Sequence, residues 1–142
     1  MTLPNFFIIG PPKTGSTSLY LYLSQHPDIF MSPVKEPGYF ALKDFPDKAS
    51  TNSDYYSYSD LEQYERLFDG REAESAIGEA STEYFSAPRV AGNIAALVPD
   101  SKLITVLRNP ADRMFSEFLM HSLFGKEDPD SFEEVVERDM IW

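Results

Sequence analysis

With 142 residues, 42% of them hydrophobic and 14% aromatic, the chain is long enough for one domain with a sizeable core and is not disordered by composition. A formal net charge of −11 disfavours nucleic acid as a partner, yet leaves a small phosphorylated ligand open, because a local cationic nest can override the mean field. Without cysteine there is no disulfide, thiolate metal site or cysteine nucleophile, and no apolar run approaches the ~20 residues that span a bilayer.

Phe6–Ile9, four apolar residues bounded by Gly-Pro-Pro, reads as a central parallel strand covered on both faces. A tight loop, Gly10–Gly15, leads to a helix opening near Ser16 and ending at Gln25 or His26, ahead of Pro27. Asp28–Met31 suits a short strand. The following SPVKEPGYF, Ser32–Phe40, has two prolines and a glycine and is expected to be an irregular loop carrying Lys35 and Glu36. Asp44–Asp60 reads as a polar surface loop with Tyr55, Tyr56 and Tyr58, feeding a helix over Leu61–Phe68. A strand is expected at Ala76–Gly78, then a helix from Pro88 to about Leu97. Lys102–Leu107 is the clearest later strand. It runs into Arg108-Asn109-Pro110, where Asn109 suits an N-cap, Pro110 the first helical position and Asp112 the first turn. Met114, Phe115, Phe118, Leu119 and Leu123 form that helix's apolar face, and a last helix is expected near Ser131–Arg138. The alternation predicts an α/β fold: a three-layer α/β/α domain of the P-loop type, with a central, mainly parallel sheet. A first strand that starts at once, with no basic leader, makes a cytoplasmic protein the expectation.

The loop after the first strand carries the chemistry. Successive backbone N–H groups, the positive end of a helix, the charge of Lys13 and the hydroxyls of Ser16 and Thr17 together favour a phosphate. A nucleotide-hydrolysing loop reads G-x-x-x-x-G-K-[ST]. Here Gly10 and Gly15 keep that separation and Thr17 keeps the hydroxyl, but Ser16 stands where lysine is required and Lys13 lies inside the loop. The pattern therefore holds a phosphate without an evident magnesium arrangement. Arg108, at the end of a later strand, points to the ligand crevice of an open α/β sheet. A salt bridge to Asp112 or Glu117 is its alternative use, as pairing with Lys35 is for Glu36.

PPKTGSTSL resembles the 5′-phosphosulfate loop of sulfotransferases that use 3′-phosphoadenosine 5′-phosphosulfate (PAPS). LRNPADRMFSEF, Leu107–Phe118, resembles their 3′-phosphate motif, an arginine followed eight residues later by a serine. KEPGYF and GEASTEYF resemble the segments between, most nearly those of the heparan sulfate sulfotransferase branch and its bacterial relatives. The resemblance implies that Lys13, Thr14, Gly15, Ser16 and Thr17 hold the 5′-phosphosulfate, with Lys13 also neutralising the leaving phosphate. It implies that Arg108 and Ser116 hold the 3′-phosphate and that Glu36 takes the acceptor's proton. Glu79 and Arg113 fall in matching segments with structural or orienting roles. The product would be 3′,5′-ADP, and no metal would be needed, since the transferred group carries less charge than a phosphoryl group. The acceptor implied is a hydroxyl or amine of a carbohydrate or small metabolite; the oligomeric state is unreadable. Gly38 and Ala80 depart from relatives that carry bulkier or basic residues there, which weakens the case for a polyanionic glycosaminoglycan. Residues 1–142 are read as one sulfotransferase domain, incomplete at its C-terminus because family domains run longer. The rivals are a P-loop kinase of a small metabolite, which would need lysine after Gly15, and a module that binds nucleotide without transferring anything.

Overall fold

The computed structural model describes residues 2–41, 58, 60–124 and 132–139. Its strands are β1 (Phe6–Ile9), β2 (Ile29–Met31), β3 (Ala76–Ala80) and β4 (Lys102–Thr105). They form one sheet in the order β2-β3-β1-β4, and each neighbouring pair is parallel. The described helices are α1 (Ser16–Leu23), α2 (Leu61–Arg66), α3 (Val90–Leu97), α4 (Pro110–Leu123) and α5 (Phe132–Asp139), with a 3₁₀ turn at Thr82–Phe85.

Period-two alternation along β1 divides the core between the two faces of the sheet. Phe7 packs with Phe40, Tyr64, Phe68, Ile77, Val90 and Ile94, beneath α2 and α3. Phe6 and Ile8 point the other way, into a cluster with Met31 and the α1 residues Leu19, Tyr20 and Leu23. Helices therefore cover both faces, and the three-layer α/β/α expectation is met. Phe7 and Ile8 are wholly buried, each stabilising the fold by about 2–3 kcal/mol. The closest fit is between β1 and β3. Gly78 stands opposite Phe6 in register, and a Cβ there would lie 2.1 Å from the Phe6 ring.

Several boundaries move for identifiable reasons. α1 stops at Leu23 because the next amides tighten into i→i−3 bonds, Gln25 to Tyr22 and His26 to Leu23. Asp28 N–H then donates to His26 Nδ1 (3.1 Å), so His26 closes the turn after α1. β3 extends to Ala80, two residues past the expected end, because β1 and the loop after β2 pair with all of it. α3 begins at Val90, since the Val90 amide still turns back to Ala87. Asn109 caps α4 as expected, its Oδ1 accepting from the amides of Ala111 (3.0 Å) and Asp112 (3.4 Å). The apolar face of α4 differs from expectation. Phe118 is buried with its ring tilted against Phe132 of α5 (centroids 5.0 Å), but Phe115, Leu119 and Leu123 are exposed among the described residues. Among the described residues β4 is the last strand of the sheet, and its Leu103 and Ile104 are exposed as well. The stretch read as a polar loop with Tyr55 and Tyr56 lies outside the described residues; Tyr58 packs against the core.

Candidate active site

A parallel sheet delivers the C-terminal ends of its strands to one edge, and each of the four strands here hands over a different part of one site. β1 releases the loop Gly10–Gly15, β2 the loop with Lys35 and Glu36, β3 the hydroxyls of Ser81 and Thr82, and β4 the segment ending in Arg108.

The first loop is shaped by close approach. At Gly10, φ is +147°, and a Cβ would sit 2.3 Å from the carbonyl oxygen of Val106 at the end of β4, so only glycine fits. Thr14 is buried and its hydroxyl donates to the Pro11 carbonyl (2.9 Å), closing the turn from inside; its side chain is therefore a loop brace. Gly15, with φ +105°, is the N-cap of α1. No side chain caps this helix and its first turn holds no acidic residue. An uncapped start leaves amide N–H groups and the positive helix end open to an anion. Ser16 is buried at that start, and Thr17 is exposed beside it.

Lys13 adopts φ +67° and Glu36 φ +64°, and among the described residues no other non-glycine residue has positive φ. Such a conformation costs about 1–2 kcal/mol for a residue with a Cβ. Its coincidence with both residues marked as catalytic from sequence ties the strain to the site. At Glu36 the consequence is direct. Neighbouring side chains in extended backbone point apart, whereas here Lys35 Nζ forms an ion pair with Glu36 Oε1. Glu36 Oε2 accepts from the Thr82 amide (2.7 Å) and the Thr82 hydroxyl (3.1 Å). The loop itself is bonded along β3, with the Ser32 amide donating to Gly78, the Glu36 amide to Ala80 and the Gly38 amide to Ser81 Oγ. Beyond it, Tyr39 stacks on Tyr64 with centroids 4.5 Å apart, and Phe40 meets Phe7, Tyr64 and Tyr84 edge-on. These aromatic contacts fix the Glu36 loop to the core.

One cavity of about 280 Å³ is lined by Lys13, Ser16 and Thr17 on one side and by Lys35, Glu36 and Thr82 on the other. Of the residues marked for the phosphosulfate end, Lys13, Ser16 and Thr17 thus share one space with Glu36, marked for proton removal, whereas Thr14 and Gly15 do not line it. Arg108 lies next to it, its Nη1 donating to the backbone carbonyl of Lys13 (3.3 Å). Neither of its alternative partners holds it. Glu117 pairs with Arg113 one turn away on α4, and Asp112 is not bonded to Arg108. Ser116 is half-buried on α4 and does not line the cavity.

Three features were not singled out from sequence. Lys35 entered only as a loop residue and a partner for Glu36, Thr82 only within a matching segment, and Glu79 only with a structural or orienting role. Glu79 is wholly buried beneath the site, with Oε2 accepting from the Tyr64 hydroxyl (2.7 Å) and Oε1 without a hydrogen-bond partner. Burial raises its pKa to about 7, against the pull of the Tyr64 and Tyr84 hydroxyls, and the nearby Glu36 charge adds to the rise. Burial likewise lifts the hydroxyls of Tyr64 and Tyr84 well above the usual tyrosine value. The hydroxyl pair Ser81-Thr82 at a strand end was the available sequence signal.

Comparison with known proteins places this geometry. The family described as the sulfotransferase domain matches residues 3–141. The bifunctional heparan sulfate N-deacetylase/N-sulfotransferase 1 of Caenorhabditis briggsae is 35% identical over 130 residues, covering 90% of this chain and 14% of that protein. Carbohydrate sulfotransferase 15 of Mus musculus is 32% identical over 170 residues, covering 95% of this chain and 30% of that protein. A crystal structure of a sulfotransferase from Alicyclobacillus acidocaldarius superposes with a TM-score of 0.83 at 41% identity, over 94% of this chain and 56% of that one. The chain thus spans less than a third of these two curated relatives and a little over half of the solved one. Loop, strand order and family match agree: the chain belongs to the sulfotransferase family.

Proposed function

We propose that the chain transfers a sulfuryl group from PAPS to a hydroxyl or amine of an acceptor, with 3′,5′-ADP as the other product. The observation that carries the reading is the shared cavity: Lys13 and Glu36, on loops from different strands, face one space at the uncapped start of α1. The donor fits the residues present. The loop amides, Ser16, Thr17 and the Lys13 ammonium would bind the 5′-phosphosulfate, and Arg108 with Ser116 the 3′-phosphate. Thr14 and Gly15 would serve by shaping the loop.

Glu36 would receive the acceptor's proton while the acceptor oxygen or nitrogen bonds to sulfur. The bond from sulfur to the 5′-phosphate oxygen breaks, and its electron pair stays on that oxygen. Lys13 would stabilise the charge that gathers there. For this Glu36 must exchange one of its present donors for the acceptor, and the pair with the flexible Lys35 side chain is the easier to open, since the Thr82 contacts include a fixed amide. No metal enters the scheme. The acceptor we propose is a carbohydrate or small-metabolite hydroxyl or amine, in keeping with the carbohydrate and heparan sulfate named for the relatives.

Calorimetry with 3′,5′-ADP beside 5′-ADP tests the donor, and transfer from labelled PAPS to a panel of carbohydrate acceptors tests the reaction. Tighter binding of 3′,5′-ADP is expected; equal affinity for the two would sink the assignment. One observation favours the non-catalytic alternative: both oxygens of Glu36 are already bonded. Nucleotide binding without transfer to any acceptor would select it.

A further inference from the structure

We propose that Arg108 acts on both ends of the donor site, bracing the 5′ loop at Lys13 as well as meeting the 3′-phosphate. The second half rests on the PAPS reading above; the brace rests on geometry within the ligand-free chain. Arg108 and Lys13 are 95 residues apart in sequence, and Nη1 of the arginine reaches the lysine carbonyl at 3.3 Å. The left-handed turn at Lys13, φ +67°, swings that carbonyl towards the end of β4. The same tail of β4 touches the loop at its start, where the Val106 amide donates to Ile9 (2.9 Å) and the Val106 carbonyl is what leaves Gly10 no room for a Cβ. The tail after β4 thus meets the loop first at Gly10 and again at Lys13.

A guanidinium presents five N–H donors in a rigid fork. One spent on the Lys13 carbonyl leaves the others for phosphate oxygens, so a single side chain can hold the loop and an anion together. Without it, nothing among the described residues donates to that carbonyl, and the left-handed turn at Lys13 loses its tie to β4. The 5′ loop should then relax, although Arg108 need not touch a 5′-phosphate. Arg108 is a positioning residue for the loop in this sense. Ser116, which is not bonded to the loop, is the internal control.

The test uses the whole chain. Calorimetry with 5′-ADP, which has no 3′-phosphate, and with 3′,5′-ADP is run on wild type, Arg108→Ala, Arg108→Lys and Ser116→Ala, at moderate and at high salt. Backbone hydrogen exchange at residues 13–16 is followed without ligand. Arg108→Ala is expected to weaken 5′-ADP about three- to tenfold, the scale of one ordinary hydrogen bond lost from the loop, and to speed exchange in the loop. Ser116→Ala should weaken only 3′,5′-ADP. A mere charge effect would be absent in Arg108→Lys and would fade at high salt, so that pattern overturns the brace, as does unchanged loop exchange in Arg108→Ala. Faster loop exchange in a chain that does not discriminate 3′,5′-ADP from 5′-ADP would keep the brace and remove the donor reading. Arg108 is exposed, so circular dichroism should show the variants folded.

Discussion

Replacing Glu79 by glutamine removes a titration that the fold itself creates. The carboxyl is fully buried and its pKa stands at about 7, against 4.5 for an unburied glutamate, chiefly through loss of water. The folded chain therefore keeps a proton between those two values that the unfolded chain gives up. Stability from this source is present in full below about pH 4.5 and is lost as the pH rises through 7. The separation corresponds to ~3 kcal/mol. Glutamine is close in shape, can still accept the Tyr64 hydroxyl and does not titrate. Urea unfolding from pH 4.5 to 8 should show wild type losing ~3 kcal/mol relative to Glu79→Gln, then running parallel to it above the folded pKa. At this chain length that is a relative fall in Tm of about 10 °C. Parallel curves across the whole range would refute the reasoning, because they would mean that Glu79 is charged at pH 5 or is solvated in the folded state.

The other predictions concern the site and its supports. Lys13→Ala should weaken 3′,5′-ADP at least tenfold by calorimetry, the loss of one charge-assisted contact to phosphate; an unchanged titration would take Lys13 out of the donor site. Glu36→Gln should lower kcat in the labelled-PAPS assay by about 10²-fold or more while leaving 3′,5′-ADP affinity within about twofold; equal turnover would show that another group takes the proton. Gly78→Ala should destabilise the fold by about 1–3 kcal/mol in denaturant melts, since the new methyl meets the Phe6 ring. Tyr64→Phe should cost about 1–3 kcal/mol by removing the hydroxyl that donates to Glu79 Oε2, and the loss should grow above pH 7, where the carboxylate needs that donor most.

Local pattern carried much of this fold. The run Phe6–Ile9 bounded by Gly-Pro-Pro, and Asn109-Pro110 ahead of an apolar stripe, are statements about neighbouring residues, and β1 and the capped start of α4 follow from them. Strand order is another matter. Nothing within Lys102–Thr105 says which strand stands beside it, and the apolar face of α4, which reads as core in the sequence, is largely exposed among the described residues. The site divides along the same line. Lys13, Ser16, Thr17 and Arg108 sit at strand-to-helix corners that sequence can locate. The Lys35–Glu36 pair depends on a left-handed φ at a glutamate, and glutamate, unlike Gly38 two residues on, gives no local sign of one. Glu79 is bound to a tyrosine fifteen residues away on another layer, a pairing that no short spacing encodes.

The distribution of rigidity around the cavity follows from these contacts. On the donor side the loop is pinned through backbone, at Gly10 by β4 and at Lys13 by Arg108. On the other side Glu36 is held through its own carboxylate, by Thr82 and Lys35, while its loop is fastened behind it by Tyr39 and Phe40. A transferring group needs fixed donors where charge arrives and a base that can change partners as the proton moves. In the proposed reaction the acceptor would displace Lys35 from Glu36, and the loss of the Glu36 charge on protonation would then remove the attraction that draws that ammonium back. The Thr82 amide, fixed by the end of β3, keeps the carboxyl in place meanwhile. The asymmetry between a braced loop and a pair that can open is what the proposed reaction requires of the two walls.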